Sequence, residues 1–106
     1  MPSIEKEGDG MYNATFYESL TTTAAGWTRI GFTDYDGNEF PSEYIRLKAT
    51  TAAMNFSFDP RNVGASRVVQ GVVAVDEVVV LHHKRATEIW VSRVAGDGTI
   101  EVTAWR

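Results

Sequence analysis

The stretch YIRLKA at residues 44–49 is followed, after four intervening residues, by MNFSFD at residues 54–59. In both stretches an apolar residue occupies every second position, which is typical of a β-strand that buries one face and exposes the other. The two stretches therefore predict two successive strands. The predicted inward side chains are Ile45, Leu47, Ala49, Met54, Phe56 and Phe58, and the predicted outward side chains are Tyr44, Arg46, Lys48, Asn55, Ser57 and Asp59.

Further strand-like stretches lie on both sides of this pair. Residues 12–20 and 27–33 are rich in aromatic and β-branched residues, and in the second of them Ile30 and Phe32 are expected to point inward. Residues 88–94 and 99–105 predict two more strands near the end of the chain.

The valine-rich region between residues 67 and 83 predicts one or two further strands. Residues 67–75 are apolar but contain Gly71, so they predict either a short edge strand or an extended crossover. Residues 77–83 are apolar at both parities, which predicts a strand covered on both faces.

Two turn signals separate these strands. Residues 34–38, DYDGN, contain the residue types that tolerate positive φ and predict a tight turn. Residues 95–98, AGDG, predict a hairpin between the last two strands.

The strand pattern predicts an all-β fold. Seven to eight short strands at a spacing of about ten residues, with no helical stripe between them, favour an antiparallel β-sandwich or jelly roll. Residues 11–106 are expected to form one β domain, because a chain of 106 residues can bury a single core. Residues 1–10 are polar and are expected to form a flexible N-terminal arm.

Composition argues against several classes of function. The net charge of −4 gives no basic footprint for nucleic acid, so no nucleic-acid partner is expected. No apolar run approaches the roughly 20 residues of a membrane helix, so no membrane partner is expected either. The chain has no cysteine, which excludes disulfides and thiolate metal sites.

No residue set predicts catalysis, a cofactor or a metal. His82 and His83 are adjacent on a predicted strand and should point to opposite faces, one half-buried and one exposed. Residues 34–39 offer oxygen ligands for calcium, but they lack the spacing and the helices of an EF-hand, so a solvated turn is the better interpretation. We therefore expect a non-enzymatic protein, with no catalytic, cofactor-binding or metal-binding residue.

The outward aromatic and basic side chains instead predict a partner-binding surface. Tyr44, Arg46, Lys48 and Trp105 lie on the sides of their strands that face away from the predicted core. Such a surface suits a protein partner or the stacking of sugar rings. In the carbohydrate interpretation Trp27, Trp90 or Trp105 would be the stacking platform.

Residues 44–59 and 77–105 resemble small virion proteins of tailed bacteriophages. The resemblance rests on YIRLK at residues 44–48, NFSFD at 55–59, EIWVSR at 88–93, GDGT at 96–99 and a closing strand. It implies a sandwich or jelly-roll protein that decorates or cements a capsid, or that serves as an accessory at the neck or tail. None of the matching residues carries a catalytic role in that family.

The resemblance also implies the partners and the location. They are the major capsid protein or another virion protein, together with further copies of this chain in a homo-oligomer, within a virion assembled in the host cytoplasm. The alternative from the residues themselves is a carbohydrate-binding or receptor-adhesion β-sandwich module.

Overall fold

The computed structural model describes residues 15–21, 26–59 and 68–106, which contain eight β-strands and no helix. The all-β prediction is therefore confirmed. The predicted arm at residues 1–10 lies outside the described residues. The strands are β1 (Thr15–Thr21), β2 (Thr28–Gly31), β3 (Tyr44–Thr50), β4 (Met54–Ser57), β5 (Gly71–Val73), β6 (Val78–His82), β7 (Glu88–Arg93) and β8 (Thr99–Trp105).

The strands form two antiparallel sheets of four. The front sheet has the order β1-β8-β3-β6, and the back sheet has the order β2-β7-β4-β5. The pairs β1·β8, β2·β7, β3·β6 and β4·β5 are those of one long hairpin, and the contacts β3·β8 and β4·β7 roll that hairpin into two layers. This connectivity is an eight-stranded jelly roll, one of the two predicted architectures.

The core lies between the two sheets. Alternate residues of both sheets point into it, as the period-two pattern predicts. Phe16 and Leu20 of β1 extend the core toward one edge, and Val79 and Leu81 of β6 extend it toward the other. The buried apolar side chains are Ile30, Phe32, Phe40, Ile45, Leu47, Ala49, Met54, Phe56, Val73, Ile89, Val91, Ile100, Val102 and Ala104.

The predicted turn at residues 34–38 is confirmed, and hydrogen bonds accepted by Asp34 close it. The carbonyl of Asp34 accepts a hydrogen bond from the Gly37 amide at 3.0 Å. Its Oδ1 accepts two more, from the amides of Asp36 at 2.9 Å and Asn38 at 3.0 Å. Gly37 has a φ of 87°, which glycine adopts without a steric cost. The Asp34 carboxylate therefore stabilises the turn.

The predicted hairpin at residues 95–98 is wrong. β7 belongs to the back sheet and β8 to the front sheet, so this connection crosses between the layers. Arg93 Nη1 donates to Asp97 Oδ1 across the crossing. A Cβ on Gly98 would lie 3.0 Å from the carbonyl oxygen of Ala52 and 3.2 Å from Met54 Sδ, so the crossing packs closely on the β3–β4 connection. Turn-forming residues predict a reversal of the chain but do not specify which strand the chain then joins.

The predicted exposure of Ser57 and Asp59 is also wrong, because both are buried. Ser57 lies across from Trp90 in the register of β4 and β7. Its hydroxyl accepts the Asp59 amide at 3.1 Å. Ser57 is thus buried beside Trp90, a large side chain on the outer face of the back sheet, although its polarity predicts exposure.

Both ambiguities in the valine-rich region are resolved. Residues 71–73 form the short edge strand β5, one of the two predicted alternatives. The prediction that β6 is covered on both faces is wrong, because its outer face is exposed, and β6 is one of the two edge strands of the front sheet. Its outward valines, Val78 and Val80, are 45% and 40% exposed. The apolar residues on both faces of β6 therefore mark an open apolar edge.

Candidate partner-binding face

The structure brings the four predicted partner-binding residues together. Tyr44 of β3 is paired with Trp105 of β8, and Arg46 and Lys48 follow Tyr44 at alternate positions of the same strand. All four side chains lie on the outer face of the front sheet, because the residues between them are buried in the core. We call this surface the outer front face.

An aromatic pair occupies one end of the outer front face. The rings of Tyr44 and Trp105 are stacked, with centroids 5.6 Å apart and an interplanar angle of 19°. Both residues are half-buried. They are thus neither fully exposed nor covered by a further layer of sheet in the described part of the chain, because each shields one side of the other.

Both histidines join this pair, contrary to the prediction. The ring centroid of His82 lies 5.7 Å from that of Tyr44, and the His83 centroid lies 5.6 Å from it. Both histidines are exposed, whereas one was expected to be half-buried. His83 has left the strand with a φ of 58°, a left-handed conformation in which histidine is enriched. That turn of the backbone brings the second ring to the same side as the first, which strand alternation does not anticipate.

Two cations lie in the middle of the outer front face. Arg46 is flanked by Thr103 on β8 and by Val80 on β6. Among the described residues, neither Arg46 nor Lys48 forms a salt bridge. Their charged groups are therefore available to an acidic group on a partner.

Side chains in register across the strands form rows on the outer front face, and Lys48 belongs to one of them. Glu101 lies beside Lys48 on β8, and Val78 lies beside it on β6. At the far edge, Tyr17 of β1 is 59% exposed and belongs to the row of Arg46. Sequence reasoning missed Tyr17 and the two valines because only strand pairing places them next to the cations.

On the outer face of the back sheet, unlike the outer front face, charged side chains form salt bridges with one another. Arg29 donates from Nη2 to Glu39 Oε2 at 2.5 Å and from Nε to Glu88 Oε1. The hydrogen bonds that the Arg29 guanidinium donates, first to Glu39 and then to Glu88, raise its pKa above the ordinary value. Trp90 Nε1 donates to Glu88 Oε2 at 2.8 Å. These groups bind one another and so stabilise β2, β7 and the turn before residue 40.

The tryptophans do not form one platform. Trp90 lies on the outer face of the back sheet and Trp105 on the outer front face, on opposite sides of the sandwich. Trp27 is half-buried just before β2. Trp90 and Trp105 therefore cannot stack on the same sugar, and Trp105 already stacks on Tyr44.

A cavity of about 400 Å³ lies at one end of the sandwich. Lys84 Nζ lies 4.5 Å from the centroid of the Phe58 ring, which forms part of the cavity wall. The carboxylate of Glu88, also in the wall, is bonded to Arg29 and Trp90.

The described residues form neither a metal-binding cluster nor a membrane-spanning helix. No group of three or more histidine, cysteine, aspartate or glutamate residues is arranged to hold a metal ion within residues 15–21, 26–59 and 68–106. The same residues include no helix with the length and hydropathy needed to cross a membrane.

Comparison with known proteins gave no significant match to any family model, to any curated protein or to any solved structure.

Proposed function

We propose that this chain is a non-enzymatic structural protein of a tailed-bacteriophage particle, where it binds the shell as a decoration or cement protein. The observation that carries the proposal is the outer front face. There an aromatic stack, two cations that form no salt bridge in the described part of the chain, and exposed apolar side chains lie side by side. Aromatic residues and arginine are the side chains most often found at the energetic centre of protein interfaces.

The fold supports this role by analogy. Eight-stranded jelly rolls are used by viral capsid domains and by lectins, and both bind partners through the surfaces and loops of a rigid β body. A fold alone does not define a function. The sequence resemblance to small virion proteins favours the capsid over the lectin as the relevant analogy.

The chemistry of the outer front face defines the partner surface. Arg46 and Lys48 favour a shell protein that presents carboxylates, while Tyr17, Val78 and Val80 favour apolar contacts around them. A stable complex of this kind buries at least about 1,000 Å² in total, which requires most of one face of so small a protein. The proposal includes self-association of the chain.

The direct test is binding to particles that lack the protein. Shells purified from a phage strain deleted for this gene would be mixed with wild-type chain and with the double variant R46E/K48E. We expect wild-type chain to sediment with the shells, and the double variant to lose at least about tenfold in affinity because two charges on the face are reversed.

The matched control is D36K, which reverses an exposed charge in the turn at residues 34–38, next to the Glu39 that Arg29 binds on the outer face of the back sheet. It should bind as the wild-type chain does. Failure of the wild-type chain to bind such shells would refute the proposal, and equal losses in R46E/K48E and D36K would refute the assignment to this face.

A second candidate function is carbohydrate binding, favoured by the Tyr44–Trp105 stack. One face of a stacked aromatic pair can support a sugar ring, and neighbouring polar side chains can bind its hydroxyl groups. A glycan array would test it with wild-type chain and W105A, using W90A as the control on the opposite face. Binding lost in W105A alone would support this function, and an array without wild-type binding would exclude it.

A further inference from the structure

Four strands form the edges of the two sheets in the described part of the chain. β1 and β6 end the front sheet, and β2 and β5 end the back sheet. An edge strand presents unpaired backbone N–H and C=O groups, which are a template for pairing with another strand. Proteins that remain monomeric protect such edges with charges, short strands or bulges.

Three of these edges carry protective features. β1 has Glu18 on its inward side, in the register position across from Val102. β2 has four residues and contains Arg29, which is held by two carboxylates. β5 has three residues and begins with Gly71. Each of these features opposes the addition of another strand.

The edge of β6 has none of them. Its sequence, VVVLH, contains no lysine, arginine, aspartate, glutamate, glycine or proline. Three β-branched residues favour the extended conformation, and the outward valines Val78 and Val80 remain substantially exposed. Val79 and Leu81 on the inward side are only partly buried, so both sides of this strand would gain from a neighbour.

We propose that β6 pairs antiparallel with β6 of a second copy of this chain, about a two-fold axis at Val80. This inference deepens the self-association included in the proposed function, but it does not depend on a shell as partner. The two front sheets would become one sheet of eight strands. Val80 would lie across from Val80 of the second copy, and Val78 across from His82.

The charges next to β6 favour this partner and this direction. Asp76 and Glu77 precede the strand and the exposed Arg85 follows it, whereas the Lys84 ammonium lies over the Phe58 ring. Antiparallel pairing brings the acidic end of one copy to the basic end of the other, whereas parallel pairing would bring like charges together. A two-fold contact must be self-complementary, and an uncharged strand with opposite charges at its ends meets that condition.

The pairing also extends the outer front face. Tyr44 and Arg46 lie on the strand next to β6, so each copy would contribute its aromatic stack and cations to one continuous surface. A dimer would present that surface twice, related by the two-fold axis. The effect is bivalent presentation of the face proposed above to bind a shell.

Cysteine cross-linking tests the pairing directly, because the chain has no cysteine of its own. Residues directly across an antiparallel pair have Cα atoms about 4.5–5.5 Å apart, within the range of a disulfide. Under mild oxidation V80C should therefore form a disulfide-linked dimer. V72C is the matched control, because Val72 lies on the edge strand β5 and is 51% exposed; it should stay largely monomeric on a non-reducing gel.

Sedimentation velocity of the purified full chain is the second measurement. Wild-type chain and V72K should be dimeric, while V80K should dissociate more than about a hundredfold more readily, because it places two lysines opposite each other at the axis. Circular dichroism confirms that V80K remains folded; if it does not, V80T replaces it and should weaken the dimer by a smaller factor.

The outcomes separate this inference from the shell-binding role. A wild-type chain that stays monomeric at its highest soluble concentration, a trimer, or equal cross-linking of V80C and V72C would overturn the β6 pairing. None of these results depends on shells, so shell binding by a monomer would leave the shell-binding role standing without the self-association. A dimer that does not bind shells would refute the shell-binding role and leave the β6 pairing standing.

Discussion

The two faces of the front sheet are built from the same strands but differ in what they interact with. On β3 the inward residues Ile45 and Leu47 are completely buried, whereas Arg46 and Lys48 between them remain partly exposed and make no salt bridge among the described residues. Period-two alternation separates the two sets within a single strand. The inner face stabilises the fold, and the outer face is the one that we propose to bind partners.

The largest expected effect is a cavity on the inner face. L47A should lower the free energy of unfolding by about 2–5 kcal/mol, because Leu47 is fully buried between the sheets. The control is R46A, the next residue, which should cost less than about 1 kcal/mol. Urea unfolding followed by tryptophan fluorescence measures both. Similar losses in the two variants would contradict the division between the faces.

The next largest effect concerns close packing on the inner side of the back sheet. Gly71 of β5 lies across from Phe56 of β4, and a Cβ on Gly71 would overlap the Phe56 ring. G71A should therefore cost about 1–3 kcal/mol through overpacking. In the background of F56L, whose side chain is shorter, the same substitution should cost clearly less. An equal cost in both backgrounds would show that the contact with the ring is not the cause.

A smaller effect belongs to the aromatic stack on the outer front face. A double-mutant cycle of Y44A, W105A and the double variant should give a coupling of about 0.5–1.5 kcal/mol in the free energy of unfolding. The coupling arises from the stacked contact of Tyr44 and Trp105. A coupling near zero would mean that the stacked contact contributes nothing to the stability of the fold.

The smallest effect concerns an exposed ion pair at the crossing between the sheets. D97N removes the charge that Arg93 contacts, and it should change the free energy of unfolding by less than about 1 kcal/mol, since Asp97 is half exposed. Raising the salt concentration should reduce the difference further. A larger loss would indicate that the crossing, and not only the core, fixes the two sheets relative to each other.

The strands and the inner face were predictable from the sequence for one physical reason. Burial of one face imposes alternation on each strand, and alternation is visible in residues 44–49 without knowledge of the neighbours. The same pattern identified Tyr44, Arg46, Lys48 and Trp105 as outward, and the strand register places them on one surface.

Other features could not be read in the same way because they depend on residues far away in the chain. AGDG at residues 95–98 has the chemistry of a turn, but the sheet that the chain then joins is decided by packing on Ala52 and Met54. Ser57 is polar and yet buried opposite Trp90, 33 positions away in the sequence. His83 reaches Tyr44 through one residue of left-handed backbone.

By itself the sequence determined an all-β protein with eight short strands at most, the side chains of its inner face and a set of outward aromatic and basic residues. Local periodicity is enough to predict these features, because the alternation within each strand indicates which of its sides is buried. The tertiary structure alone decided the rolled order of the strands, the position of β6 at an open edge and the grouping of Tyr17, Val78 and Val80 with the cations. These depend on which strands pair, and pairing is settled by contacts between distant segments that no single stretch of sequence contains.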